Sequence, residues 1–274
     1  MRALLTGASG AIGTEVARRL SARGAQLALS GRREAALAAL ARELDGITVI
    51  PADLAQRGEA ERLARSALGA LGEIDVVVNN AGASIQGLTW VVGDGDVGRG
   101  VMETNVWSPL ALAAAIAPGM VERGQGAIVN VGSMARVAPF PHLGHYAASR
   151  AALATLTEVM RMELGPRGVR VVEVALGPVD TPASRENRIL AGAEQWLDGR
   201  PGLGTAAAAS AAIVDAVAGS AEGVAFYPRV LRWPYRLPGL GRRYARRAAR
   251  HAQVGDTTVR SARELQALRD AESP

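Results

Sequence analysis

The 274-residue sequence contains no lysine and no cysteine, so all 31 of its Lys+Arg total are arginine. A lysine Schiff base, a lysine-bearing phosphate loop, a thiolate nucleophile, a disulfide and a cysteine-ligated metal site are therefore all excluded. Only three histidines are present, His142, His145 and His251, and no metal centre is expected. No apolar run approaches the ~18 residues of a membrane-spanning helix. Met1 to Leu20 does not read as a secretory signal, because Glu15, Arg18, Arg19 and several glycines interrupt it. A cytoplasmic protein is expected.

What is present fits one α/β domain with a basic extension. The formal charge is +5, yet Arg229 to Arg250 holds eight arginines and no acid, leaving 23 arginines against 26 acids elsewhere, a net of −3. Short apolar runs at 3–5, 27–29, 48–50, 74–78, 127–131 and 169–175 read as buried strands. Helix-period segments at 12–22, 34–44, 59–71, 109–121 and 146–164 separate them. That alternation predicts a Rossmann-type, doubly wound parallel sheet over residues 1–227, followed by a Pro/Arg-rich C-terminal extension over 228–274. Ligands of such sheets bind beyond the carboxyl ends of the strands.

Thr6-Gly7-Ala8-Ser9-Gly10-Ala11-Ile12-Gly13 follows the first strand. Glycines at this turn let the backbone approach a pyrophosphate, whose charge is met by the N–H groups of the next helix. Sites for NAD place an acid about 20 residues further on, to hold the ribose 2′-hydroxyl. Here the second strand ends in Ser30-Gly31-Arg32-Arg33. Two guanidiniums suit a 2′-phosphate, so NADP(H) is the expected cofactor, the alternative being solvated arginines at a helix start.

In their joint order these motifs resemble the short-chain dehydrogenase/reductase family over about residues 2–227. The family's Thr-Gly-x-x-x-Gly-x-Gly is altered only in that Ala11 takes the middle glycine, with Gly10 before it. The resemblance implies cofactor contacts from Gly7, Ser9, Gly10, Ile12, Gly13, Arg32 and Arg33, from Asp53-Leu54 at the adenine, from Asn80-Ala81-Gly82, and from Pro178, Val179 and Thr181 near the nicotinamide. It implies a catalytic set of Asn105, Ser133, Tyr146 and Arg150, the last two also touching cofactor. In carbonyl reduction Ser133 would hold the oxygen and Tyr146 would supply its proton. A free phenol titrates near ~10, so a cation must stand beside it, and residue 150, at i+4, shares its helix face. Asn105 is expected to prop a helix and hold a relay water. Taken singly, Ser133 reads as a turn or capping residue and Tyr146 as a packing residue; His142 and His145 read as loop residues near the pocket.

Arg150 stands where the family has lysine. Arginine keeps the charge but cannot pass a proton. The alternative to a working reductase is thus a catalytically silent NADP-binding protein acting through partners or a membrane surface. In a chain without lysine, arginine at one more position is weak evidence of lost function. Ser84-Ile85, Met134 to His142 and the segment after Thr181 to about Trp196, with Val137, Pro139, Phe140, Ile189, Leu190 and Trp196, predict an apolar pocket for a lipophilic ketone, aldehyde or alcohol. Arg136 and Arg185 read as surface residues or as partners for an acidic group. A homodimer or homotetramer is expected from the resemblance, and no nucleic-acid partner. The segment 229–250 fits peripheral contact with an anionic membrane, or else a solvated helix packed on the domain; beyond Gly241 it carries few apolar residues besides Tyr244, which predicts weak amphipathicity.

Overall fold

The structure, a computed structural model, describes residues 1–185, 204–219 and 223–249. Strands β1 (Arg2–Leu5), β2 (Gln26–Leu29), β3 (Ile47–Val49), β4 (Val76–Asn79), β5 (Gly126–Ser133) and β6 (Val169–Leu176) each follow an apolar run of the sequence. They alternate with helices α1 (Ala11–Ser21), α2 (Glu34–Glu43) and α3 (Glu59–Leu71), then α4 (Thr89–Val92), α5 (Asp96–Met102), α6 (Ser108–Arg123) and α7 (Gly144–Leu164). A short parallel pair, β7 (Val179–Asp180) and β8 (Gly204–Thr205), precedes α8 (Ala206–Ala218) and β9 (Gly223–Tyr227).

The main sheet is seven-stranded among the described residues, in the order β3-β2-β1-β4-β5-β6-β9, and every pairing is parallel. Alternate residues of each strand face opposite layers. Leu5, Leu27, Val78 and Val129 join Val16, Leu20, Ile213 and Val214 on one side. Leu4, Val77, Ile128 and Val171 join Leu63, Leu112, Ile116 and Met120 on the other. Strand order reverses between β1 and β4, which opens a crevice at their carboxyl ends. The helical run from α5 through α6 (Asp96–Arg123) is long and apolar enough to cross a membrane, but Leu112, Ile116 and Met120 bury it in the core.

The extension folds back onto the domain. After Tyr227 come a single 3-10 turn (Arg229–Leu231), α9 (Arg232–Arg236) and α10 (Pro238–Ala249). Leu231 and Tyr235 pack with Val224 and Phe226 against buried Met134, Val137 and Ala175. A Cβ on Gly177 would lie 2.5 Å from Leu231 Cδ1, so this glycine is what admits the leucine. The sequence expectation of weak amphipathicity in α10 is corrected: exposed Arg242, Arg243, Arg246 and Arg247 share one face, and Gly241 is buried against the Val137 carbonyl and Pro234.

Candidate active site

The glycine turn is fitted to its neighbours atom by atom. Gly7 has φ +66°, and a Cβ there would lie 2.8 Å from the Ala81 Cα; one on Gly13 would strike the Gly7 carbonyl. Asn80 Nδ2 donates to the Thr6 and Gly7 carbonyls at 3.0 and 3.2 Å, and the Asn80 and Ala81 N–H groups donate to Thr6 Oγ1 at 3.1 and 3.0 Å. Asn80 and Ala81 therefore brace the turn. No side chain caps α1 at Gly10, and Ser9 and Ile12 lie half-buried on the same turn. The free helix end and the cradle that side chains would fill both suit a pyrophosphate.

Arg32 and Arg33 are exposed at the end of β2, and Arg33 donates to the Ser9 carbonyl, which lays its guanidinium against the glycine turn. A Cβ on Gly31 would lie 2.8 Å from Ser9 Oγ, so glycine keeps this edge open. After β3, Asp53 Oδ1 accepts from the Ala55 N–H at 3.2 Å, and Leu54 is buried with its carbonyl accepting from Ser108 Oγ at 2.9 Å. After β6, the Pro178 carbonyl accepts from the Gly204 N–H at 2.8 Å, and Val179 is buried. Thr181 and Ser184 cap each other's backbone N–H groups at 3.0 and 3.1 Å.

Three elements bring the catalytic candidates together. Asn105 sits in a π-helical turn (Glu103–Trp107) between α5 and α6 and is fully buried. Its Oδ1 accepts from the Ala83 N–H at 2.8 Å, while Nδ2 donates to the Ala83 carbonyl at 2.7 Å and Ser149 Oγ at 2.9 Å. Both amide protons are thus committed to tying loop 80–88 to α7, and only an Oδ1 lone pair is left for the expected relay water. Ser133 ends β5, and its Oγ accepts from the Ala135 N–H at 3.1 Å, capping the 3-10 turn Met134–Arg136. That is the capping role read from sequence, and it still leaves the hydroxyl proton available. The turn packs on α7, which carries half-buried Tyr146.

Arg150 is only 6 % exposed. Its guanidinium donates to the Val131 carbonyl at 3.0 Å, packs so closely on Gly82 that a Cβ there would collide with it, and lies 5.2 Å from the Tyr146 ring centroid. Its Nε has no partner among the described residues. Glycine at 82 thus makes room for the longer side chain that replaces lysine. A buried cation with donors to spare beside the tyrosine fits a ribose hydroxyl or a phenolate.

Several supports have no counterpart in the sequence expectations. Asn79 Nδ2 donates to Asn130 Oδ1, and Asn130 Nδ2 to Thr157 Oγ1, each at 2.8 Å, linking the end of β4 through the middle of β5 to α7. Arg136, read as a surface residue or as a partner for an acidic group, meets an acid of its own chain: it donates to buried Glu173 at 3.0 Å and lies 4.3 Å over the Tyr235 ring. Burial pushes the Glu173 carboxyl above its ordinary range, against the pull of Arg136, Arg161 and Arg150. Arg185 is exposed and pairs with Asp180. Met134 and Val137, expected to line the pocket, are turned into the cluster under the extension. His142 is buried at φ +66° with neither ring nitrogen bonded among the described residues, whereas His145 Nε2 meets the Gly93 carbonyl at 2.6 Å. Ile189, Leu190, Trp196 and His251 lie outside the described residues.

A glycine cradle lies at the switch point, with Tyr146 beside the buried Arg150 on α7 and Ser133 at the end of β5, an arrangement of the Rossmann class. The family described as short chain dehydrogenase matches residues 1–189, and the chain belongs to the short-chain dehydrogenase/reductase family of nicotinamide-dependent oxidoreductases. It is 36 % identical over 191 residues to "Dehydrogenase/reductase SDR family member 7B" of Mus musculus, covering 66 % of this chain but only 58 % of that protein. It is 37 % identical over 181 residues to "Nodulation protein G" of Rhizobium meliloti (strain 1021), covering 66 % of this chain and 74 % of the relative. Among solved structures, a short-chain dehydrogenase from Streptomyces avermitilis superposes with TM-score 0.74 at 28 % identity, covering 87 % of this chain and 92 % of the other. The "bulky-bulky ketone specific alcohol dehydrogenase" of Comamonas testosteroni gives TM-score 0.71 at 27 % identity, with coverage of 87 % and 92 %.

Proposed function

We propose that the protein is an NADP(H)-dependent oxidoreductase interconverting a lipophilic ketone or aldehyde and its alcohol. The observation that carries this reading is the buried Arg150 guanidinium beside the Tyr146 ring, which keeps a fixed positive charge where the family's lysine would supply one. NADP(H) is favoured by Arg32 and Arg33 at the end of β2, where no acid stands. A lipophilic substrate is favoured by the bulky-ketone specificity for which one structural relative is named.

The nicotinamide, when bound, supplies or accepts the hydride at the carbonyl carbon. Ser133 donates a hydrogen bond to the substrate oxygen, and its own oxygen is held by the Ala135 N–H. Tyr146 gives that oxygen its proton as negative charge develops, and takes it back in the oxidative direction. Arg150 stabilises the phenolate left behind without exchanging its own proton. Asn105 holds the loop after β4 against α7, keeping Tyr146 and Arg150 in register.

The test is NADPH and NADH oxidation over a panel of bulky hydrophobic carbonyls. Tyr146→Phe should lower kcat at least ~100-fold with NADPH binding retained. Arg32→Ala combined with Arg33→Ala should raise KM for NADPH about tenfold and leave KM for NADH nearly unchanged. A wild-type protein that binds NADPH but oxidises none of it, with Arg150→Lys gaining turnover, would overturn the enzymatic reading in favour of a silent NADP-binding protein.

A further inference from the structure

The C-terminal extension carries an exposed surface that the oxidoreductase site does not use. Val230 in the 3-10 turn, Trp233 in α9 and Leu237 just after it are 65, 54 and 52 % exposed. Arg229, Arg232, Arg236, Arg242, Arg243, Arg246 and Arg247 are exposed in the same stretch, and residues 229–249 contain no acid. No ion pair among the described residues engages any of these arginines, whereas some exposed arginines elsewhere, Arg18 with Glu43 and Arg99 with Asp94, have a carboxylate. Arg232 lies 5.2 Å from the Trp233 ring centroid, so charge and aromatic surface form one patch. The patch is fixed to the domain by Leu231 against Gly177 and by Tyr235 under Arg136.

We infer that this face docks on an anionic lipid bilayer. A water-exposed tryptophan, leucine and valine flanked by arginines that pair with no carboxylate among the described residues match the two requirements of interfacial binding: apolar side chains to enter the headgroup boundary and positive charge to meet anionic headgroups. Nucleic acid would use the charge but has no use for the valine and leucine, and a neutral apolar partner would leave seven arginines unanswered. Because Leu231 packs on Gly177, docking holds the loop after β6, expected to lie near the nicotinamide, close to the bilayer surface, where a lipophilic substrate concentrates; this last consequence rests on the proposed function, whereas the docking itself does not.

The experiment is flotation of the full-length protein with vesicles of phosphatidylcholine alone or of equal parts phosphatidylcholine and phosphatidylglycerol, with duplex DNA retention measured at the same salt. The protein should float only with the anionic vesicles and lose binding as salt rises. Replacing Arg242, Arg243, Arg246 and Arg247 together by Gln should weaken partitioning at least about a hundredfold, and Trp233→Ser about tenfold, with unchanged melting temperature. Absence of flotation with anionic vesicles, equal flotation with neutral ones, undiminished flotation of the two variants, or preferential retention on DNA overturns the inference. Activity with soluble carbonyls is read separately, so loss of the enzymatic reading leaves this result standing.

Discussion

Buried groups without partners mark where this chain departs from ordinary packing. His142 is the clearest: burial holds its imidazole below its ordinary value of 6.5, which favours its neutral form in the folded state. The unfolded chain binds a proton there as pH drops below 6.5, and stability is lost in that direction by up to ~1.4 kcal/mol per pH unit. His142→Asn, which tolerates φ +66°, removes this contribution. Urea melts at pH 7 and 5.5 should show a smaller acid loss for the variant than for wild type. The proposed roles of Ser133 and Tyr146 are drawn from the family resemblance together with their spacing, 13 residues across the β5–α7 connection. The Arg136 and Glu173 pair is not legible in the sequence, because the two are 37 positions apart and meet only through the register of β5 against β6.

At the scale of elements, strands buried on both faces announce themselves as continuous apolar runs, so β1 to β6 fall within about two residues of expectation. The alanine-rich α8 has too little polar contrast to show a period, and β9, with Gly223 and an alanine among aromatics, does not read as a strand. The π-helical turn at Asn105 has no sequence signature at all. The 3-10 turn after Ser133 couples the site to the extension: Arg136 bridges Glu173 in β6 and Tyr235 in α9. Arg136→Ala should leave a buried carboxylate unpaired and lower Tm by roughly 10 °C near neutrality. Because the Glu173 carboxyl is raised by burial, its unfavourable ionisation grows as pH rises from about 4.5, the ordinary value, so the Tm deficit should shrink at pH 4.5. A deficit that is constant across pH would show that the arginine acts by packing alone.

For the whole molecule, strands and helices share the buried apolar core, yet some large apolar side chains stay outside it. Trp107 ahead of α6 and Val159 and Met162 on α7 are 51, 39 and 64 % exposed. The expectation is that copies of the chain associate through these side chains. Light scattering coupled to gel filtration should give a dimer or larger species, and Val159→Arg with Met162→Arg should shift it toward monomer without loss of fold.

The small cluster of Met134, Val137 and Ala175 beneath Leu231 and Tyr235 means that the covalent and the physical edges of this domain differ. A chain ended after β9 would bare that cluster to water right behind Ser133. Trimming the arginine-rich tail to obtain a tidier catalytic unit is therefore expected to produce an aggregating one.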